Sequence, residues 1–277
     1  MTENSVSKSA WYCCGVRMDD ARSASPLVGD RFAERFMDDA AMSMYAPMRA
    51  ERMATLSNIM RCKLTDEAVA SALAADRATR VVSLGAGFDS RPYRMSGGRW
   101  TEIDEPDLLA RKEALLPAAE CANPLLRVPV RFSRGELAAA LPEPDGAPVL
   151  VVIEGVTMYL PDAAIASSLA ALTARYPRHT VVCDLMDRAF QRRFAKGISA
   201  RLAAAGTAFS ERPTDPAAVF RDAGYRLVER QPMFAASARR GLLRQHVGVP
   251  WLVAEIARHT VIRGVNGNAV HRFVFGG

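Results

Sequence analysis

The amino-acid sequence predicts an α/β fold in which a helical N-terminal segment precedes a mostly parallel, doubly wound sheet of seven strands. Three observations support this prediction. Strand-like segments are absent before residue 80, short apolar segments then alternate with helix-like segments, and the first apolar segment ends in a glycine turn. Strand–helix alternation is typical of parallel sheets with right-handed crossovers. A chain of 277 residues suits one such domain with an added helical lid.

The segment before the sheet, residues 10–75, has helical periodicity. In "DRFAERFMDDAAMSMYA", apolar residues recur at every fourth position, and Asp30 at its start is the expected N-cap. A second helix is predicted over residues 65–75, with Thr65 as its N-cap. We therefore expect both helices to begin at these two capping side chains.

Seven apolar segments follow and are the predicted strands: residues 80–84, 100–104, 126–130, 148–154, 179–185, 225–230 and 269–275. The chain accordingly divides into a predicted helical lid over residues 1–78 and a core over residues 79–277. A helical insert is expected within this core at about residues 186–212. Ligands of such sheets bind beyond the carboxyl ends of the strands. The polar or glycine residues at these ends are Gly85, Gly87, Asp104, Glu154 and Asp184.

Composition narrows the possible partners and compartment. The net charge is +6, but the arginines are interleaved with acids, which indicates solvated helix faces, so we expect no nucleic-acid partner. The cysteines lack metal-ligand spacing, and their dispersed, odd number is typical of a reducing cytosol. They are Cys13, Cys14, Cys62, Cys121 and Cys183. Neither a signal peptide nor a membrane-spanning run is evident, so we expect a cytoplasmic protein without a metal or membrane partner.

The glycine turn lies in "VVSLGAGFDSRPYRM", where Gly85 and Gly87 follow an apolar strand. A dinucleotide-binding turn needs a third glycine, but Ser90 stands there, and no Gly-Lys-Ser/Thr of a triphosphate-binding loop follows. Asp89 would also repel a pyrophosphate. The turn therefore favours a nucleoside ligand without phosphates, although a glycine turn that only starts a helix has the same pattern.

Two acids at strand ends are candidate ligand contacts. Asp104 follows Gly87 by seventeen residues and can accept hydrogen bonds from both ribose hydroxyls, or it can cap the next helix. Glu154 ends the apolar run "PVLVVIE", so its ionised side chain needs a partner. That partner is either the α-ammonium of a bound amino-acid moiety or an internal arginine.

The segments "VVSLGAGFDSRPYRM", "TEIDEPDLLARKEALL" and "VVIEGVTMYLP" resemble the leucine carboxyl methyltransferase family. The N-terminal "SAWYCCGVRMDDARSASPLVGDRFAERF" is similar to the opening of its bacterial, tetracenomycin-type branch of carboxyl and O-methyltransferases of secondary metabolism. The resemblance covers about residues 9–230. It implies a Rossmann-like class I methyltransferase fold and S-adenosylmethionine as the cofactor.

The resemblance also implies a cofactor site. Arg61 would bind the cofactor carboxylate, Glu154 its α-ammonium, and Asp104 its ribose hydroxyls. Where the family has an Asp-Leu pair beside adenine, this chain has Val130 and Arg131. Adenine is then expected to meet backbone groups and the apolar side of Val130 or Phe132. The predicted cofactor-binding residues are Arg61, Gly85, Ala86, Gly87, Asp104, Glu105, Val130, Arg131, Glu154 and Gly155.

For the methyl acceptor, the sequence leaves a carboxylate and a phenol open. A carboxylate is ionised at neutral pH, whereas a phenol benefits from a base. His179 precedes a strand at the wrong end of the sheet, and His271 lies within the last strand. The catalytic candidates are Tyr159, His246 and His259, and the candidate pocket residues are Trp11, Tyr12, Tyr159, Phe190, Phe194 and Trp251.

The sequence thus predicts an S-adenosylmethionine-dependent O-methyltransferase that acts on a carboxylate or phenol of a small molecule, as a monomer or homodimer. One alternative is a cofactor-binding enzyme of divergent natural-product chemistry or a peptide or protein carboxyl methyltransferase. The other is a non-catalytic interaction protein that retains the fold.

Overall fold

A computed structural model describes residues 6–132, 135–204, 206–243 and 264–276. Its seven strands form one sheet in the order β3-β2-β1-β4-β5-β7-β6. All neighbouring strands are parallel except β7, which runs antiparallel to β5 and β6. The predicted seven-stranded, mostly parallel sheet is confirmed. The strands are β1 Arg80–Leu84, β2 Arg99–Asp104, β3 Leu125–Pro129, β4 Val149–Ile153, β5 His179–Met186, β6 Arg226–Pro232 and β7 Asn268–Phe275.

Helices cover both faces of this sheet. In chain order they are α1 Val6–Ala21, α2 Asp39–Tyr45, α3 Arg52–Ala75, α4 Arg91–Arg94, α5 Pro106–Leu115, α6 Leu137–Ala140, α7 Asp162–Arg175, α8 Arg188–Phe194, α9 Lys196–Ala204, α10 Ala218–Asp222 and α11 Met233–Arg239. Short 3₁₀ turns lie at Ala33–Phe36, Ala118–Glu120, Thr157–Tyr159 and Val265–Gly267. Among the described helices, none has the combination of length and hydropathy that is needed to span a bilayer.

The central strands are apolar throughout because both of their faces are buried. All five residues of β4 are buried, as is typical of parallel strands covered by helices on both sides. Alternate side chains enter two different core clusters. Val151 packs on the face covered by α7, whereas Leu150 and Val152 pack on the face covered by α3 and α11. The central strands are therefore packed between two apolar layers.

The first predicted helix begins later than its sequence indicates. Residues 30–46 form a 3₁₀ turn and then α2, whose N-cap is Asp38, the acceptor from the Ala41 N–H. Asp30 starts no α-helix. It is buried and its carboxylate accepts a hydrogen bond from Arg17 Nε at 2.8 Å. The N-cap prediction for Asp30 was wrong because a buried arginine, distant in sequence, binds this carboxylate.

The second predicted helix is part of a much longer one. Helix α3 runs without interruption from Arg52 to Ala75, and Thr65 is a buried residue in its middle. The prediction of Thr65 as an N-cap was therefore wrong. Leu56, Met60 and Leu64 lie along one side of α3 and pack on the sheet. This packing stabilises helical turns that precede the predicted N-cap, so the helix begins earlier than its capping residue indicates.

Helix α3 also bears on the domain division expected from the sequence. Because its apolar side belongs to a core cluster that includes strand residues, this helix is one layer of the core. The boundary between lid and core at residue 78 stays a prediction. Helices α8 and α9 lie within the expected insert at residues 186–212.

Candidate functional site

A cavity of about 980 Å³ opens at the carboxyl ends of the parallel strands. Its wall brings together the turn after β1, the end of β2 and the loop after β4, with a side chain of α3 opposite them. The volume is at the upper end of the roughly 300–1,000 Å³ of pockets for a single small ligand.

The turn after β1 requires glycine. Gly85 has φ +69°, and a Cβ there would lie 2.4 Å from Cγ2 of Val156, so any larger residue would clash. Gly87 also has a positive φ, and its N–H donates to Oδ2 of Asp104 at 2.6 Å. This bond ties the turn to the end of β2.

Asp104 lies at the tip of β2 and lines the cavity. Its second oxygen, Oδ1, accepts from the Glu105 N–H at 2.7 Å. Helix α5 begins at Pro106 without a side-chain cap, so Asp104 does not serve as its N-cap. Burial raises the pKa of Asp104 to about 6, although the Gly87 and Glu105 N–H groups favour its ionised form. Each oxygen retains a lone pair for a ligand hydroxyl.

Glu154 follows β4 and makes two contacts with arginines. Oε2 accepts from Arg91 Nη2 at 2.6 Å, and Oε1 accepts from Arg61 Nε at 3.3 Å. The sequence left open whether Glu154 pairs with a ligand ammonium or with an internal arginine. The structure contains two such arginines, Arg91 and Arg61. Burial opposes ionisation, but the attraction of Arg91 and then Arg61 holds the pKa of Glu154 below its ordinary value.

Arg61 is the side chain of α3 that faces the strand ends. Besides Glu154, it contacts Asp184 Oδ2 with Nη1 at 3.5 Å and Cys13 Sγ with Nη2 at 3.3 Å. It lies so close to Gly155 that a Cβ at Gly155 would be 3.0 Å from Nη2. The Gly155 N–H donates to Asp184 Oδ1 at 2.6 Å. Burial would lower the pKa of Arg61, but Asp184, Cys13 and Glu154 raise it well above its ordinary value.

The residues after β3 require one correction. Val130 is buried in the core cluster with Ile103 and Leu137 and does not line the cavity, so its side chain is not a ligand contact. The next two residues, Arg131 and Phe132, do line the cavity.

On its other side the cavity is lined mostly by apolar and aromatic side chains. Tyr12, Tyr159, Phe190 and Phe194 are among them, whereas Trp11 packs beneath the Arg111 guanidinium, outside the cavity. Burial raises the pKa of Tyr159 well above its ordinary value, so its phenol keeps its proton. His246, Trp251 and His259 lie outside the described residues.

The two described histidines that the sequence set aside lie away from this cavity. His179, at the start of β5, contacts Tyr225 Oη at 2.7 Å and the Tyr176 carbonyl at 2.8 Å. His271 lies within β7, where burial lowers its pKa to about 4. Neither histidine lines the cavity.

Arg91 was not predicted as a site residue, although it lies in the segment "VVSLGAGFDSRPYRM". It is 2% exposed and contacts Glu154 directly. The only sequence signal for it is indirect: an acid that directly follows the apolar strand β4 needs a cationic partner. Among the parts of the chain that the structure describes, no group of three or more His, Cys, Asp or Glu side chains could hold a metal ion.

The cavity suits a ligand with a zwitterionic end and a ribose. Arg61 and Glu154 supply opposite charges side by side, Asp104 has free lone pairs, and the glycine turns allow close approach of the ligand. These features fit S-adenosylmethionine, whose methionine part carries a carboxylate and an ammonium group.

Known proteins agree with this fit. The family model of leucine carboxyl methyltransferase matches residues 13–173. A protein of Frankia alni, named as an S-adenosyl-L-methionine-dependent methyltransferase, is 33% identical over 223 residues, which are 73% of this chain and 76% of the relative. A Streptomyces coelicolor protein with the same description is 31% identical over 217 residues, again 73% of this chain and 76% of the relative.

Two solved structures share the fold at low sequence identity. A DUF574 family protein from Streptomyces avermitilis has a TM-score of 0.58 at 16% identity, covering 86% of this chain and 91% of its own. The magnesium protoporphyrin IX methyltransferase of Synechocystis with bound S-adenosylhomocysteine has a TM-score of 0.50 at 12% identity, covering 80% and 87%. The fold is that of class I methyltransferases, as predicted. The chain belongs to the leucine carboxyl methyltransferase family and is an S-adenosylmethionine-dependent methyltransferase.

Proposed function

We propose that this enzyme methylates the carboxylate of a small organic acid in secondary metabolism, as in the bacterial branch that its motifs resemble. The observation that carries the proposal is the apolar chamber that adjoins the cofactor end of the cavity. Its wall includes Met158, Met186, Phe190 and Ile198, which pack in one apolar cluster. Such a wall suits an aromatic or alkyl acceptor, because apolar surface is buried there on binding.

We assign the charged end of the cavity to the cofactor. Arg61 would hold its carboxylate and Glu154 its ammonium group, while Asp104 would accept hydrogen bonds from the ribose. Arg131 and Phe132 would lie beside the base. S-adenosylmethionine supplies, when bound, a methyl group that is already activated on a sulfonium. The protein therefore has to orient the acceptor and exclude water. Orientation of two reactants accounts for about 7–11 kcal/mol in favourable cases.

A carboxylate acceptor agrees with the chemistry of the described wall. A carboxylic acid with a pKa of about 4 is ionised at pH 7, whereas a phenol with a pKa of about 10 has to lose a proton to a base. The raised pKa of Tyr159 makes its phenol a hydrogen-bond donor rather than a base. Tyr159 would thus orient an acceptor oxygen, and the apolar wall would keep water from the reacting carboxylate.

Two further features support the remaining parts of the proposal. Many arginines are paired with carboxylates, including Arg17, Arg91 and Arg127, which supports a small-molecule partner rather than a nucleic acid. All five cysteines are free thiols, which supports a reducing, cytoplasmic compartment.

The test uses S-adenosylmethionine with a labelled methyl group and pairs of aryl and alkyl acids with the corresponding phenols and alcohols. We expect label in the acids only, and we expect mild base to release it as methanol, because methyl esters hydrolyse and methyl ethers do not. Glu154→Gln is the control, since it should lower incorporation by weakening cofactor binding. Base-stable label, or label in phenols alone, would refute the carboxylate assignment.

A further inference from the structure

Arg61 and Glu154 form an ion pair in the wall of the cavity, which we call the inner pair. Each has one further charged partner, which we call its outer partner: Arg91 for Glu154 and Asp184 for Arg61. Glu154 contacts Arg61 at 3.3 Å but Arg91 at 2.6 Å. Arg61 in turn contacts Asp184 at 3.5 Å. A zwitterionic ligand that contacts both inner residues would separate them. Its carboxylate would replace Glu154 as the partner of Arg61, and its ammonium group would replace Arg61 as the partner of Glu154. Of the charged partners within the protein, Arg91 would remain for Glu154 and Asp184 for Arg61.

We propose that Arg91 is a positioning residue for the cofactor ammonium: it holds the Glu154 carboxylate in place when the contact between Arg61 and Glu154 opens. The proposal rests on the function proposed above, which assigns the ammonium to Glu154. Arg91 itself touches no ligand atom in this scheme. It acts through the carboxylate that it orients.

The guanidinium of Arg91 is fixed independently of Glu154. Nε donates to Asp66 Oδ1 at 2.6 Å, Nη1 donates to Asp89 Oδ2 at 2.9 Å, and Nη2 also donates to the Cys62 carbonyl at 3.1 Å. The residue is 2% exposed. Because a planar guanidinium held at several points cannot rotate freely, Arg91 stays in place whatever Arg61 does.

The electrostatic reason concerns the carboxylate in the bound state. Once Arg61 pairs with the ligand carboxylate, the Glu154 side chain, which is 12% exposed, keeps one cation of the protein, Arg91. A buried carboxylate without a partner takes up a proton or turns toward water. Either change would remove its attraction for an ammonium group. The loss would therefore affect only ligands that carry this group.

The test compares S-adenosylhomocysteine with its desamino analogue, in which hydrogen replaces the α-amino group, by titration calorimetry. We expect the wild-type protein to prefer S-adenosylhomocysteine. In Arg91→Met this preference should fall by about 10- to 100-fold, as for one lost charge-assisted hydrogen bond, while the affinity for the desamino analogue changes little. A residue with a purely structural role would change both affinities alike.

Arg94→Met is the matched control. Arg94 shares Asp66 with Arg91, but its other partners are Ser90 and Asp30, so this variant should keep the wild-type preference. If Arg91→Met does not fold, Arg91→Lys decides the question, because it retains a cation in the buried position but loses the fork geometry. We expect its preference to fall at least several-fold.

Two results would overturn the role of Arg91: a wild-type preference in the folded Arg91 variant, or equal losses for both ligands. A wild-type protein that binds both ligands equally would instead refute the assignment of Glu154 to the ammonium. The failure of this inference and the failure of the proposed function are therefore distinguishable.

Discussion

The raised pKa of Asp104 predicts that cofactor affinity depends on pH. If the ribose hydroxyls donate to this carboxylate, binding requires its ionised form. At pH 5, one unit below the pKa of about 6, about a tenth of the molecules have Asp104 ionised. The apparent affinity for S-adenosylhomocysteine should then be about tenfold lower than at pH 8. Asp104→Asn should bind weakly at both pH values and lose this dependence.

The raised pKa of Asp104 predicts the opposite pH dependence for the stability of the free protein. An acid with a raised pKa in the folded state binds more protons than in the unfolded state between pH 3.8 and about 6, so the free energy of unfolding falls as pH rises through this window. The rise from 3.8 to about 6 corresponds to roughly 3 kcal/mol. Asp104→Asn should therefore be more stable than the wild type at pH 7 but not at pH 4.

The measurements are calorimetric titration with S-adenosylhomocysteine and urea unfolding, each repeated across pH 4–8 for both proteins. His271, whose pKa falls from 6.5 to about 4 on burial, makes the free energy of unfolding rise with pH in the same window. The contribution of Asp104 is therefore read from the difference between the wild type and Asp104→Asn at each pH. An affinity that stays constant between pH 5 and 8, or a pH profile that Asp104→Asn leaves unchanged, would refute the reasoning.

Two other substitutions test the packing beneath the site. Gly85→Ala should lower the free energy of unfolding by at least about 1–2 kcal/mol because of the left-handed backbone, and by more because of the contact with Val156. A thermal melt with and without S-adenosylhomocysteine would measure this loss and the reduced binding. An unchanged melting temperature would contradict the prediction. Lys112→Met breaks a buried 2.7 Å ion pair with Glu102. Because Glu102 keeps Arg127 as a partner at 3.0 Å, we expect the free energy of unfolding to fall by about 3 kcal/mol, which is at the lower end for a broken buried pair. Urea unfolding would measure this change. A variant as stable as the wild type would show that Arg127 alone is enough to pair Glu102.

Short sequence patterns were enough to predict the strands that are buried on both faces. The run "VLVVI" became β4 because a strand covered by helices on both sides must be apolar at every position. Helix starts were less predictable. Asp30 has the chemistry of an N-cap, but Arg17 binds it. Thr65 likewise falls inside a helix that continues because its apolar side packs on the sheet. Long-range contacts outweighed capping in both places.

The sequence by itself determined the sheet, its glycine turn and the acids at the strand ends, because each follows from backbone geometry or from burial along a short segment. Only the tertiary structure decided their partners. Glu154 meets Arg91 from 63 and Arg61 from 93 positions earlier in the chain, and Arg131 rather than Val130 lines the cavity. Which cation neutralises a buried acid depends on the packing of separate elements, since Coulomb attraction acts through space and not along the chain.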